Sequence, residues 1–359
     1  MHDHDHNEHL HRTFHLTTNS GSAENEGTSS TSSAAKPTWS IDQIAYQLTH
    51  GYSIANGGLI GGFDVSPGGT LTYDVSQLAL AGQWFAKKAL AAWSAVMGVQ
   101  FNQVTSGADI SFSNTDQSGA YASSSGWGDT ITSSTVNIPI WWYSGSEGRL
   151  DSYAYQTYVH EIGHALGLGH AGNYNGNGSF SSDALFANDS WATTVMSYFS
   201  QTEAGVSADF AYVITPMIAD INAIHDLYGT PDNVNLGSTV YGFSSNATGP
   251  AAQFTSLSGD VAMTVYDSGG EDTFNFSSTT EKQKIDLRAG NSSNVLGLKG
   301  NLTIAENVVI ENAKGGSGAD LIYGNSQKNT LLGNGGSDTL YGYAGNDNIS
   351  GSAGHDRIY

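Results

Sequence analysis

The stretch HEIGHALGLGH, His160 to His170, decides how the rest of this chain is read. On a helix, His160 and His164 stand one turn apart on the same face, so both imidazoles reach one metal ion. Glu161 lies beside them, placed to take a proton from a water at that ion. Gly167 suits the left-handed residue that ends a helix, after which the chain turns back and delivers His170 as a third ligand. Three neutral imidazoles leave the fourth tetrahedral position open, the arrangement of a catalytic zinc rather than a structural one. Such an ion lowers the pKa of its water toward neutrality and polarises a carbonyl. A surface helix with chance histidines is a poor account of so many correctly spaced positions.

Composition narrows the setting. The chain has 359 residues, 33 acidic and 12 basic, with a formal net charge of −21. That balance argues against nucleic acid and anionic membrane surfaces, which need a basic footprint. It suits an extracellular protein and calcium, whose ligands are oxygens. There is no cysteine, which excludes disulfides, thiol catalysis and latency through a thiolate on the zinc. No apolar run is long enough to span a bilayer. The N-terminus, MHDHDHNEHLHRTFHL, has no apolar core of a conventional secretory signal.

Along the chain, residues 1–36 are polar and of low complexity, with six histidines among acidic residues, and read as a disordered leader or pro-segment. From Pro37 the pattern predicts a short helix over 39–51, a strand over 71–75 and a long helix over 76–97. Strands at 99–104 and 108–113 follow, the second leading into a Ser/Gly-rich loop. Helices are predicted at 153–168 and 216–228. This is an α+β layout covering 37–229. His50 and His225 read as surface or locally bonded histidines. Trp141, Trp142 and Tyr143 read as packing residues or pocket walls, and Asp183 and Asp189 as solvated loop positions.

After Gly229 the helical signal gives way to short strand-like runs. At Gly315 a nine-residue period begins: GGSGADLIY, GNSQKNTLL, GNGGSDTLY, GYAGNDNIS, GSAGHDRIY. Glycine comes first, an acid or amide sixth (Asp320, Asn329, Asp338, Asp347, Asp356) and an aliphatic eighth (Ile322, Leu331, Leu340, Ile349, Ile358). This pattern predicts a calcium-loaded parallel β-roll over 230–359. Turn carbonyls (Gly315, Ser317, Gly333, Gly335, Gly342, Ala344) and the sixth-position carboxylates would face the ions, while the aliphatic residues stack inside. Two units complete a coil, so Asp320 should meet Asp338, Asn329 Asp347, and Asp338 Asp356. Asn329, in a unit short of glycines, predicts a weaker site.

The extended histidine motif resembles that of the metzincins, which carry a methionine turn beneath the zinc. Val195-Met196-Ser197-Tyr198 matches that turn, with Met196 as the floor under the imidazoles. MSY together with the β-roll narrows the resemblance to the serralysin family of bacterial secreted proteases, over roughly residues 37–359. TPMIADINAIHDLYG is similar to that family's closing helix and DSGGEDTFNFS to its first roll segment. The resemblance implies an α+β metzincin-like zinc protease domain followed by an all-β parallel β-roll. It implies a secreted endopeptidase with one catalytic Zn2+ and several structural Ca2+.

By the same resemblance, Tyr198 ligates zinc at rest and swings aside to hydrogen-bond the oxyanion. Calcium ligands ahead of the repeats fall on Asn235, Gly237, Thr239, Asp267, Gly269, Gly270, Asp272, Val309 and Glu311. Ala120-Tyr121-Ala122 resembles the edge strand along which substrate lies antiparallel. The partners implied are protein or peptide substrates and a type I secretion channel, with the protein itself a monomer. The family continues past this point with further strands and an export signal, whereas this chain stops at Tyr359, which reads as a truncated or processed form. A calcium-dependent adhesion or matrix protein with a vestigial protease domain is the competing reading. The intact Glu161, histidines and Tyr198 speak against it.

Overall fold

The computed structural model describes residues 35–359, so of the leader read at 1–36 all but the last two residues lie outside the described residues. Residues 36–359 form one compact unit. Its first part is built on a sheet of six strands: β1 (Gly62–Phe63), β2 (Thr70–Asp74), β3 (Gln100–Gln103), β4 (Ile110–Ser113), β5 (Tyr121–Trp127) and β6 (Thr130–Asn137). The order is β1-β6-β4-β2-β3, with all pairs parallel; β5 pairs β6 antiparallel.

The β5–β6 hairpin occupies the segment read from sequence as a Ser/Gly-rich loop. Its alternation is hidden because small polar residues fill strand positions that apolar ones would usually mark. On β6, Ile131, Ser134 and Val136 are buried together. The Ser134 hydroxyl donates to the Ala165 carbonyl at 2.9 Å, so a polar side chain is satisfied inside.

Three helices cover the sheet: α1 (Leu80–Met97), α2 (Tyr153–Ala165) and α3 (Ile218–Tyr228). A helical stretch over residues 41–56, carrying a π-turn at Gln47–Gly51, precedes them. α1 begins later than its pattern predicted. Asp74 accepts the Ser76 N–H at 2.8 Å and Ala79 is extended, so residues 76–79 are spent on a turn and a cap. Its inner face buries Phe85, Ala89, Trp93 and Val96, and Trp93 Nε1 donates to the Val159 carbonyl of α2 at 2.9 Å. Ser152 caps α2 by accepting the Tyr155 N–H. Pro216 lies just before the α3 cap rather than in its first turn.

Beyond residue 230 the architecture changes to stacked parallel strands. One sheet carries Val240–Gly242, Thr273–Asn275, Asn312–Lys314, Thr330–Leu332 and Asn348–Ser350. The facing sheet carries Lys284–Asp286, Leu321–Tyr323, Thr339–Tyr341 and Arg357–Ile358. Registers place Ile322 beside Leu340 and Leu331 beside Ile349. Ile322, Leu331 and Leu340 are fully buried, whereas Ile358 on the last coil is 52% exposed. The two architectures are knitted together: Tyr212–Val213 pairs in parallel with Val261–Val265, and Asp151 accepts the Gly259 N–H at 2.8 Å. No helix among the described residues is long and apolar enough to cross a membrane.

Candidate metal centre and calcium turns

α2 delivers His160, Glu161 and His164, and the turn after it returns His170. Gly167, at φ 103°, makes that turn possible, because a Cβ there would collide with the Gly61 carbonyl. One donor nitrogen from each of the three histidines lies within 4.8 Å of the others. Carbonyls fix the tautomers of two of them: His160 Nδ1 bonds Val195 O at 2.8 Å and His164 Nδ1 bonds Leu168 O at 2.7 Å. Each Nδ1 must therefore carry the proton, leaving Nε2 with a lone pair. His164 Nε2 faces His170 Nε2 at 2.9 Å, an approach that needs either a shared proton or a cation between the rings.

Electrostatics favour the cation. Burial holds the His160 and His164 pKa values down to about 3 and about 4, and pushes His170 well below its ordinary value. All three are then neutral at pH 7, as metal ligands must be. Burial pushes Glu161 up to about 8, and its Oε2 has no hydrogen-bond partner. A positive ion beside it would restore the carboxylate. The donor set thus fits a divalent metal with nitrogen preference. Met196 is fully buried beneath α2, and a Cβ on Gly163 would lie 2.6 Å from its sulfur.

The open side of this centre is a cleft of about 320 Å3. Its walls include Ala120, Trp142, Tyr153, Trp191 and Tyr198. Trp142 is therefore a cleft wall, Tyr143 is core, and Trp141 is exposed. Among the described residues β5 pairs only with β6, so there Tyr121 and Ala122 stand on a strand with one edge unpaired. The Tyr198 hydroxyl accepts the Gly176 N–H at 3.1 Å, and its ring lies 4.6 Å from that of His170. His225 lies apart, bonded to the Val96 carbonyl at 2.8 Å. Asp189, read from sequence as solvated, is instead fully buried.

In the roll, the sixth-position residues meet as the two-unit coil requires. Asp338 Oδ1 accepts the Asp320 N–H at 2.8 Å, Asp347 Oδ1 the Asn329 N–H at 2.9 Å, and Asp356 Oδ1 the Asp338 N–H at 2.9 Å. Asp338 keeps a buried Oδ2 without a partner. Ahead of the repeats, Thr239 N–H donates to Asp272 Oδ1 and Asp272 N–H to Glu311 Oε2, each at 2.7 Å. Thr239 Oγ1 lies 3.3 Å from the carbonyls of Asn235 and Gly237. Asp272 Oδ2 is buried and unpartnered. Burial, with Asp267 and Glu311 nearby, pushes Asp272 up to about 7. Crowded carboxylates with orphaned oxygens fit a hard cation such as calcium.

Asn329 differs. Its amide donates to the Glu311 carbonyl and to Asn325 Oδ1, both at 3.0 Å, and its oxygen accepts the Asn325 N–H at 2.8 Å. Where a second carboxylate oxygen would offer lone pairs, the amide nitrogen turns N–H donors toward the Glu311 carbonyl and Asn325 Oδ1.

Comparison with known proteins places the chain. The family described as Peptidase M10 serralysin C terminal matches residues 232–358. "Metallopeptidase AprA" of Pseudomonas marginalis is 36% identical over 326 residues, covering 82% of this chain and 67% of that protein. "Serralysin" of Proteus mirabilis is 39% identical over 267 residues, covering 68% of this chain and 54% of that protein. The chain belongs to the serralysin family. It spans about half the length of the Proteus mirabilis protein and of other curated relatives that it matches.

Proposed function

We propose that this chain is a secreted zinc-dependent endopeptidase of the metzincin type. Residues 37–229 form its catalytic domain, and 230–359 a β-roll held by calcium. The observation that carries the reading is the meeting of three imidazoles beside Glu161, whose buried Oε2 has no partner and which lines one cleft together with His160. His160, His164 and His170 would hold one zinc, with Tyr198 as a fourth ligand at rest. When bound, zinc supplies Lewis acidity, acidifying water and polarising a carbonyl.

The chain's own residues do the rest. Glu161 takes the proton of the attacking water and passes it to the leaving amine. Tyr198 leaves the Gly176 N–H and donates its hydroxyl to the developing oxyanion. Ala120, Tyr121 and Ala122 offer backbone groups to an extended peptide, which fits a polypeptide substrate better than a small molecule. Calcium would be held by Asp267, Asp272 and Glu311 ahead of the repeats, and by Asp320, Asp338, Asp347 and Asp356 within them.

The test is casein hydrolysis by the purified protein in calcium. A zinc chelator should abolish hydrolysis and added zinc should restore it. Hydrolysis untouched by the chelator would end the reading.

A further inference from the structure

Asp189 lies between the third histidine and the methionine turn, is fully buried, and has no ion-pair partner among the described residues. Burying a carboxylate without a cation is costly unless hydrogen bonds compensate. Two hydroxyls do so: Ser197 Oγ donates to Oδ1 at 2.6 Å, and the Tyr174 hydroxyl lies 3.1 Å from Oδ1 and 3.3 Å from Oδ2.

Both donors adjoin Tyr198, Ser197 through the chain and Tyr174 through its ring. Ser197 precedes it in the chain, with its carbonyl accepting Trp191 Nε1 at 2.9 Å. Tyr174 presents its ring to Tyr198 at 4.6 Å and to His170 at 5.6 Å. Two residues beyond Tyr174, the Gly176 N–H holds the Tyr198 hydroxyl. One buried carboxylate therefore ties together the backbone that carries Tyr198 and the wall against which its ring rests. The same wall begins the segment that parks its hydroxyl.

We infer that Asp189 is a positioning residue for Tyr198: through Ser197 and Tyr174 it fixes where that ring can stand, at rest and when it donates to the oxyanion. This rests on the peptidase reading. The group never touches substrate, so its loss should appear in turnover rather than in substrate binding. It should also depend on the Tyr198 hydroxyl being there to position.

The experiment is a double-mutant cycle on the full chain with zinc and calcium bound. Asp189→Asn and Tyr174→Phe are each measured alone and in a Tyr198→Phe background. Asp189→Asn should lower kcat on the order of tenfold with KM within about twofold, the size expected of coupled neighbours. In the Tyr198→Phe background the same change should cost little further. Tyr174→Phe, which removes only the hydroxyl, should show a smaller loss with the same dependence, and it decides the question if Asp189→Asn fails to fold. Equal losses in both backgrounds, or a loss carried by KM or by zinc content, would overturn the inference and make Asp189 a fold-holding residue. Chelator-sensitive wild-type hydrolysis, measured first, separates that outcome from failure of the peptidase reading itself.

Discussion

Asp220 on α3 accepts the backbone N–H of Val195 at 2.8 Å, and the Val195 carbonyl in turn bonds His160 Nδ1. The closing helix thus reaches the metal centre through one residue of the methionine turn. Asp220 also accepts the Thr194 hydroxyl at 2.5 Å and the Met217 N–H at 2.7 Å. Burial nevertheless pushes its pKa from 3.8 to about 6, a rise worth on the order of 3 kcal/mol. Because the folded carboxyl binds its proton more tightly than the unfolded one, folding takes up a proton between about pH 4 and pH 6. The resulting stability is complete below that window and lost as pH rises through it. The thermal stability of the wild type relative to Asp220→Asn should therefore improve from pH 7 to pH 5. A constant or shrinking difference would show that Asp220 does not titrate in this range.

Glu161→Ala should abolish hydrolysis while leaving zinc bound. The carboxylate is assigned the proton transfer and not a ligand position, and loss of a general base costs about 10²–10⁴-fold. Turnover assays with metal analysis check both halves; a variant keeping more than about a hundredth of wild-type kcat would contradict the role.

His170→Ala should lose zinc, whereas His225→Ala should keep it. His225 is instead bonded to the Val96 carbonyl of α1. Metal content of the two purified variants distinguishes them. A zinc-free His225→Ala protein with an intact fold would mean that the third ligand is misassigned.

Asn329→Asp should add calcium-binding capacity to the roll. The substitution removes the amide N–H groups now spent on the Glu311 carbonyl and Asn325 Oδ1. It leaves a carboxylate facing those oxygens, a set suited to a hard cation. Calcium titration calorimetry should show one more ion bound, or a tighter site. In chelator the same variant should unfold more readily than wild type, since its acceptors would then face each other unpaired. Unchanged calcium stoichiometry and affinity would sink this account of the turn.

Much of the site was legible because helix geometry is local. The spacing of His160 and His164 sets their common face whatever surrounds them. The nine-residue period likewise determined the coil, because glycine turns and alternating aliphatic residues repeat with the structure they build. Asp320 meeting Asp338, and Ile322 stacking on Leu340, needed only the period. Beyond the edge strand implied at Ala120–Ala122, the β5–β6 hairpin was not legible, since its buried positions include Ser134, whose hydroxyl finds the Ala165 carbonyl only once α2 is packed against it.

The burial of Asp189 and Asp220 was decided by tertiary structure alone. An aspartate in a loop or on a helix reads as solvated unless its partners are known. Here the partners are Tyr174, Ser197, Thr194 and Val195, brought from other segments. Asn329 makes the same point in the roll: sequence placed it at a calcium position, but only the fold shows which carbonyl its amide engages. Period and spacing are properties of the chain, whereas hydrogen-bond satisfaction belongs to the packed molecule, and it sets the charge and orientation of each buried polar group.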